Sequence, residues 1–208
     1  MNKSKTKCLV TGGAGFIGAA LVKKLVNFGY EVTVIDNLIT GKLNNLNGYL
    51  KKIRFLRSSI KNQKEIKKII NNVDYIFHLA ALTNVRESFI QPKKYFSNNV
   101  ESTLCLMELI NSRRLKKIIY TASSSCYGDY NGNANEKTNI NLLSPYAETK
   151  WISEQIISYF SKIKKFNFIS LRLFNVYGPK SSSSSSYSGV ITKFINLKKK
   201  TLTLLINS

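Results

Sequence analysis

The stretch that most restricts this fold is "KCLVTGGAGFIGAALVKKL", residues 7–25. Residues 7–11 have the apolar character of a short buried strand. Glycines follow at Gly12, Gly15 and Gly18, and apolar residues then recur at helical spacing up to a glycine stop. In a strand–turn–helix of this kind each glycine has its own use. Gly12 permits the tight turn, Gly15 lets the backbone approach a pyrophosphate, and Gly18 lets the helix pack closely on the sheet. The helix N-terminus then presents N–H groups and a positive dipole end to the phosphates. Asp36 closes a second strand, "YEVTVID", 18 residues after Gly18. A carboxylate there accepts hydrogen bonds from both hydroxyls of an adenosine ribose and repels a 2′-phosphate. The neighbour, Asn37, is not an arginine. NAD is therefore expected rather than NADP.

The pattern continues in the same style. "KIRFL", "VDYIFHLAA", "LKKIIYTAS" and "FNFISLRLFN" read as further strands. "QKEIKKIINN", a long pattern from about Pro92 to Arg114, and a segment opening near Ser144 read as helices. Strands alternating with helices predict an α/β fold, a Rossmann-type doubly wound parallel sheet. The serine run Ser181–Ser186 reads as a flexible loop.

Composition narrows the function classes. The formal net charge is +21. Lysines and arginines divide 17 to 15 between residues 1–104 and 105–208, and acids 6 to 5, so neither half is a basic arm. The excess is mostly lysine, alongside abundant asparagine and isoleucine, which share AT-rich codons. Nucleic acid is not an expected partner, although the charge helps to attract an anionic ligand. No apolar run reaches a membrane-spanning length, and a cytoplasmic location is expected. Cys8, Cys105 and Cys126 lack metal-ligand spacing and read as free buried thiols, and His78 has no second histidine beside it. No metal is expected.

"SPYAETKW" sets Tyr146 and Lys150 four residues apart, on one face of a helix. Alone, that spacing is common. Its context is the glycine turn, Asp36, and an ordered set of further stretches: "DNL" at 36–38, "HLAA" at 78–81, "NNV" at 98–100, "SSSCYGD" at 123–129 and "LRLFNVYGP" at 171–179. Together these resemble the extended branch of the short-chain dehydrogenase/reductase family, the nucleotide-sugar epimerases and dehydratases. The resemblance covers about residues 7–197 and is nearest to the UDP-glucose and UDP-N-acetylglucosamine 4-epimerases.

The resemblance implies epimerisation at C4 of a UDP-sugar through a 4-keto intermediate, with NAD as cofactor. Tyr146 is then the base, helped by the Lys150 ammonium and the positive nicotinamide, and Lys150 also holds the nicotinamide ribose. Ser123 bonds the reacting oxygen, and Ser124 lies beside it at the substrate. The glycine turn with Phe16 and Ile17 is implied at the pyrophosphate, and Asp36 and Asn37 at the adenosine ribose. Ser59 and Ile60 are implied at the adenine, where the family usually has Asp-Ile or Asp-Val. Leu79, Ala80 and Ala81 line the cofactor groove. Thr83, Asn99 and Phe174 lie near NAD, Asn175 at the substrate phosphates, and Arg86 and Glu87 in the loop facing the sugar.

The family's dehydratases carry Asp-Glu, and its decarboxylases a glutamate, after the serine or threonine; Ser124 and Ser125 stand there instead. The alternatives are such a dehydratase or decarboxylase, or a catalytically silent NAD-binding protein. Residues 1–178 are expected to form the NAD-binding domain and 179–208 the beginning of an incomplete substrate-binding region. The ending suggests a truncated or frameshifted product, broken near Lys198–Lys200. Pairing of helices 92–114 and 144–162 in a homodimer is expected by analogy.

Overall fold

The computed structural model of the chain describes residues 5–111 and 113–178. The chain divides into two units, Met1–Leu173 and Phe174–Ser208. The expected substrate region, 179–208, lies outside the described residues. Six strands form one sheet in the first unit: β1 Lys7–Thr11, β2 Glu31–Asp36, β3 Arg54–Arg57, β4 Tyr75–His78, β5 Lys117–Ser123 and β6 Asn167–Leu173. All neighbours are parallel, in the order β3-β2-β1-β4-β5-β6. This is the doubly wound order, with its switch point between β1 and β4.

The central strand shows why its sequence is almost wholly apolar. Leu9 enters a core with Ile76, Ile118, Ile66, Leu106 and Ile157. Its neighbours Cys8 and Val10 point the other way, to Ala19, Val22, Val32 and Val34. A strand buried on both faces has no polar side. The first face carries helices α2 (Gln63–Ile70), α5 (Ser102–Leu109) and α6 (Pro145–Lys164); the second carries α1 (Phe16–Asn27). All three cysteines are free, with Cys8 and Cys126 buried and Cys105 half-buried.

Two helical readings change. The expected helix from Pro92 to Arg114 is α4 (Pro92–Tyr95), a π-helical turn at Phe96–Glu101, and α5, which stops at Leu109. At that end Ile110 is extended, and the Asn111 side chain accepts from the Arg113 N–H. The Lys164 ammonium, arriving from the end of α6, donates to the carbonyls of Met107, Glu108 and Ile110. A cation gathering the last carbonyls is a C-terminal cap supplied by another helix. The second change concerns Arg86 and Glu87. They lie not in a loop but in a helix, α3 (Val85–Ile90), whose cap Asn84 accepts from the Glu87 N–H.

His78 joins three segments. Thr11 Oγ1 accepts from the N–H groups of Leu79 and Ala80 and bonds His78 Nδ1 at 2.8 Å. His78 Nε2 bonds Thr103 Oγ1 at 2.9 Å, and that hydroxyl donates to the Asn99 carbonyl. With the Thr103 proton committed, Nε2 carries the hydrogen and Nδ1 accepts. Burial first, and the Lys150 charge second, hold this imidazole down to about 3.

Two predictions follow from these contacts. Lys164→Ala should cost about 1 kcal/mol in urea denaturation, the scale of a lost cap; an unchanged midpoint would show the clamp to be idle. A neutral buried imidazole is protonated in the unfolded chain below about 6.5 but not in the folded one. Stability should thus fall as pH drops from about 6.5 toward about 3, by at most about 1.4 kcal/mol per pH unit. Imidazole NMR checks this, since a folded-state midpoint near 6.5 contradicts it.

Candidate active site

The carboxyl ends of five strands bring most of the expected residues to one edge of the sheet. Thr11 leads into the glycine turn, and the Gly12 N–H donates to the Ile35 carbonyl. Gly12 has φ +69°, and a Cβ there would stand 2.7 Å from the Ala80 nitrogen. Any side chain would push the turn off the end of β4. At Gly15 a Cβ would meet only the Gly12 oxygen, at 3.2 Å, and otherwise face open space. Gly15 is also the N-cap of α1, with no side-chain cap and no acid in the first turn. The protein thus leaves the positive helix end bare and keeps room in front of it, as a pyrophosphate requires. Phe16 and Ile17 are the first residues of that helix.

Asp36 is buried at the end of β2. Oδ2 accepts from the Ala14 N–H at 2.9 Å and Oδ1 from the Leu38 N–H at 2.8 Å. Each carboxylate oxygen keeps further acceptor capacity for a ribose hydroxyl. The return of the chain over Asp36 was not foreseen. Leu38 takes φ 61°, and a Cβ at Gly41 would come 2.9 Å from both Asp36 oxygens. A bulky residue in the left-handed region marks local strain, held here by the bond to Asp36. Asn37 beside it accepts from the Ile39 N–H. The chain after β3 joins this corner, since the Ser58 N–H donates to the Asp36 carbonyl. Ser59 accepts from the Lys61 N–H. The Ile60 side chain belongs to the core, so any adenine contact there falls to the backbone and to Ser59.

After β4, Leu79, Ala80 and Ala81 run half-buried beside the glycine turn, while Thr83 and Arg86 are exposed. Asn99 has a structural job that the sequence does not show. Its amide donates to the Leu82 carbonyl and to Thr149 Oγ1, and its oxygen accepts from the Leu82 and Asn98 N–H groups. Thr149 donates in turn to the Tyr146 carbonyl. Asn99 is therefore a bracket between the loop after β4 and α6, with its amide fully used. Phe174 and Asn175 fall in the second unit.

Ser144 caps α6 by accepting from the Ala147 N–H, with Pro145 in the first turn, so Tyr146 and Lys150 stand on one face. Tyr146 is nine-tenths buried and its N–H donates to Ser88 Oγ. Ser123 ends β5. Its Oγ accepts from both the N–H (3.2 Å) and the O–H (2.8 Å) of Ser125, which leaves the Ser123 proton to point outward. Burial pushes the Tyr146 phenol up, and the Ser123 hydroxyl bonded to it pulls the other way. Lys150 is itself buried and drawn down to about 7 by desolvation, against the field of Glu154. Its ammonium lies 4.3 Å from the centre of the Tyr120 ring, and the Tyr120 hydroxyl donates to the Lys150 carbonyl.

Tyr120 and Glu154 were not singled out from the sequence, and Ser125 was read only as the absence of a carboxylate. Ser125 and Glu154 had readable signals: a serine two residues past another serine, and an acid at i+4 from Lys150. Tyr120 had none, since only the packing of β5 under α6 brings it to the lysine. Among the described residues no His, Cys, Asp and Glu cluster could hold a metal ion.

Comparison with known proteins agrees with this geometry. The sequence profile of the NAD dependent epimerase/dehydratase family matches residues 8–207. A putative UDP-glucose 4-epimerase of Methanocaldococcus jannaschii is 36% identical over 191 residues, covering 90% of this chain and 61% of the relative. A dTDP-D-glucose 4,6-dehydratase of Dictyostelium discoideum is 35% identical over 212 residues, covering 92% of this chain and 48% of its own. The UDP-N-acetylglucosamine 4-epimerase from Methanobrevibacter ruminantium M1, solved with UDP-N-acetylmuramic acid, superposes with a TM-score of 0.86 at 36% identity, over 93% of this chain and 63% of that one. The chain thus spans less than two thirds of the length of these proteins. A match that runs over residues 8–207, together with a relative 36% identical over 90% of this chain, shows that the chain belongs to the NAD dependent epimerase/dehydratase family.

Proposed function

We propose that this chain carries the NAD-binding and proton-transfer half of a nucleotide-sugar 4-epimerase, acting on a UDP-sugar. The observation that carries the reading is a buried Tyr146 and a buried Lys150 one turn apart on α6, with a buried Ser123 at the end of β5 whose hydroxyl favours the phenolate, beside a turn without a carboxylate. Bound NAD supplies hydride acceptance and return at C4 and a positive charge near the phenol. Gly15 and the first turn of α1 hold its pyrophosphate, and Asp36 its adenosine ribose. Ser123 donates its outward proton to the sugar's C4 oxygen or to the phenolate, and Ser125 fixes that direction. Tyr146 removes the proton of the C4 hydroxyl and later returns it to the C4 oxygen, once the rotated keto sugar has taken the hydride back on its opposite face. Ordinary tyrosine, near 10, is a poor base, and burial raises it further. Phenolate formation therefore waits for the bound cofactor's charge and a protonated Lys150. Ser124 and Ser125 cannot supply the carboxylic acid that elimination of water requires, which disfavours a dehydratase.

Arg86 and Ser124 face the sugar in this reading, Asn175 takes the substrate phosphates, and Thr83 and Phe174 flank the cofactor. Residues 1–178 form the cofactor domain and 179–208 open the substrate region. The protein works in the cytoplasm as a homodimer. No described helix is long and apolar enough to cross a membrane, and Leu104 on α5 with Tyr159 and Ile163 on α6 are exposed apolar residues suited to helix pairing.

Incubation with NAD and either UDP-glucose or UDP-N-acetylglucosamine, read by NMR, should show inversion at C4. Tyr146→Phe should cut the rate by about 10³-fold while NAD still binds. Tight NAD binding with no inversion in the parent chain would instead identify a silent cofactor-binding protein. Gly15→Val separates fold from site. Its Cβ meets the Gly12 oxygen alone, at 3.2 Å, so the thermal midpoint should fall only modestly, with the fold kept, while NAD affinity collapses in calorimetry. Unchanged affinity would remove the pyrophosphate from this turn.

A further inference from the structure

Lys150 stands in an almost uncharged surround. From β4 it faces His78, held neutral; from β5, Tyr120, whose phenol burial drives far up; from its own helix, Tyr146, also raised by burial. Cys126 in the serine turn is likewise raised. Among the described residues the charge that acts on Lys150 is Glu154, one turn along the same face of α6 and buried. Glu154 is not free to act at full strength. Arg172, on β6, grips both of its oxygens, with Nη2 to Oε1 at 2.8 Å and Nε to Oε2 at 3.3 Å. Arg172 is itself fixed in place. Nη1 donates to the Tyr127 hydroxyl at 3.1 Å, and the guanidinium lies 5.4 Å from the Tyr127 ring centre and 5.1 Å from that of Trp151. Tyr127 closes the turn that begins at Ser123, and Trp151 follows Lys150.

We propose that Arg172 governs the charge of Lys150 through Glu154: by occupying both carboxylate oxygens it limits the negative field that reaches the ammonium. The physical argument is one of opposing signs. Glu154 alone favours the charged lysine, whereas desolvation favours the neutral one. A paired guanidinium cancels part of the carboxylate field, so the balance sits where small changes convert the lysine between its two forms. Glu154 and Arg172 are positioning residues: neither need touch substrate or cofactor, and both act through Lys150. The role rests on Lys150 belonging to the proposed site, but its charge can be measured without turnover.

The test is NMR titration of ¹³Cε-lysine-labelled full chain without NAD, with the Lys150 signal assigned from Lys150→Arg. The parent midpoint is expected near 7. Arg172→Met should raise it by about 1 unit and Glu154→Gln lower it by about 1 unit. The double variant should follow Glu154→Gln, and Arg172→Lys should restore the parent value. Shifts in the same direction for the two single variants, or none, would overturn the proposal, as would a double variant well above Glu154→Gln, which would show Arg172 acting on the ammonium directly and not through the carboxylate. If Arg172→Met fails to fold, Arg172→Gln takes its place: an upward shift supports the proposal and an unmoved midpoint rejects it. The outcome is independent of epimerisation, so failure here leaves the proposed function standing, and the reverse also holds.

Discussion

A directed line of hydrogen bonds joins the glycine turn to the helix that carries Tyr146 and Lys150. It starts at the N–H groups of Leu79 and Ala80, passes through Thr11, His78 and Thr103, and reaches the Asn99 carbonyl. From the Asn99 amide it continues through Thr149 to the Tyr146 carbonyl. Ser153 adds a second tie, donating to the Asn99 and Thr149 carbonyls. Each of these groups is buried and partnered, so the line has one consistent proton arrangement. The spacing between the glycine turn and Tyr146 is thereby fixed by side chains from β1, β4, the π-helical turn and α6. A break at any member would strand a buried donor or acceptor.

The same burial sets the electrostatics. Removing water from this edge of the sheet raises Tyr146, lowers Lys150 and silences His78. A tyrosine and a lysine at helical spacing do not by themselves make a base. Here burial opposes the phenolate, and the Ser123 hydroxyl is what favours it. In the free protein burial keeps the Tyr146 phenol protonated and leaves Lys150 poised near 7.

Much of this was readable in the sequence, for local reasons. The glycine turn, Asp36 and the Ser144 cap are written within a few residues of where they act, and periodicity exposed all six strands. Tyr146 and Lys150 were readable because i and i+4 share a helix face. What was missed depends on distance along the chain. Lys164 ends α5 from more than 50 residues away, and His78 works only because Thr11 and Thr103 lie 67 and 25 residues from it. The bracket that Asn99 forms was not legible, because sequence shows its position and not the Leu82 and Thr149 groups that the fold brings to it. The helix over Arg86 and Glu87 had a readable signal, since Asn84 followed three residues later by Glu87 is a helix-start pattern.

The bare end of α1 bears on how long the folded protein lasts. With no acid in its first turn and no side-chain cap, that helix terminus is completed by whatever anion it binds. A ligand that binds the folded state alone adds stability in proportion to the logarithm of its concentration. The cofactor of this family is then part of the architecture as well as a reagent. The lifetime of the folded chain should track the size of the NAD pool around it, so that scarcity of cofactor removes the protein as well as its activity.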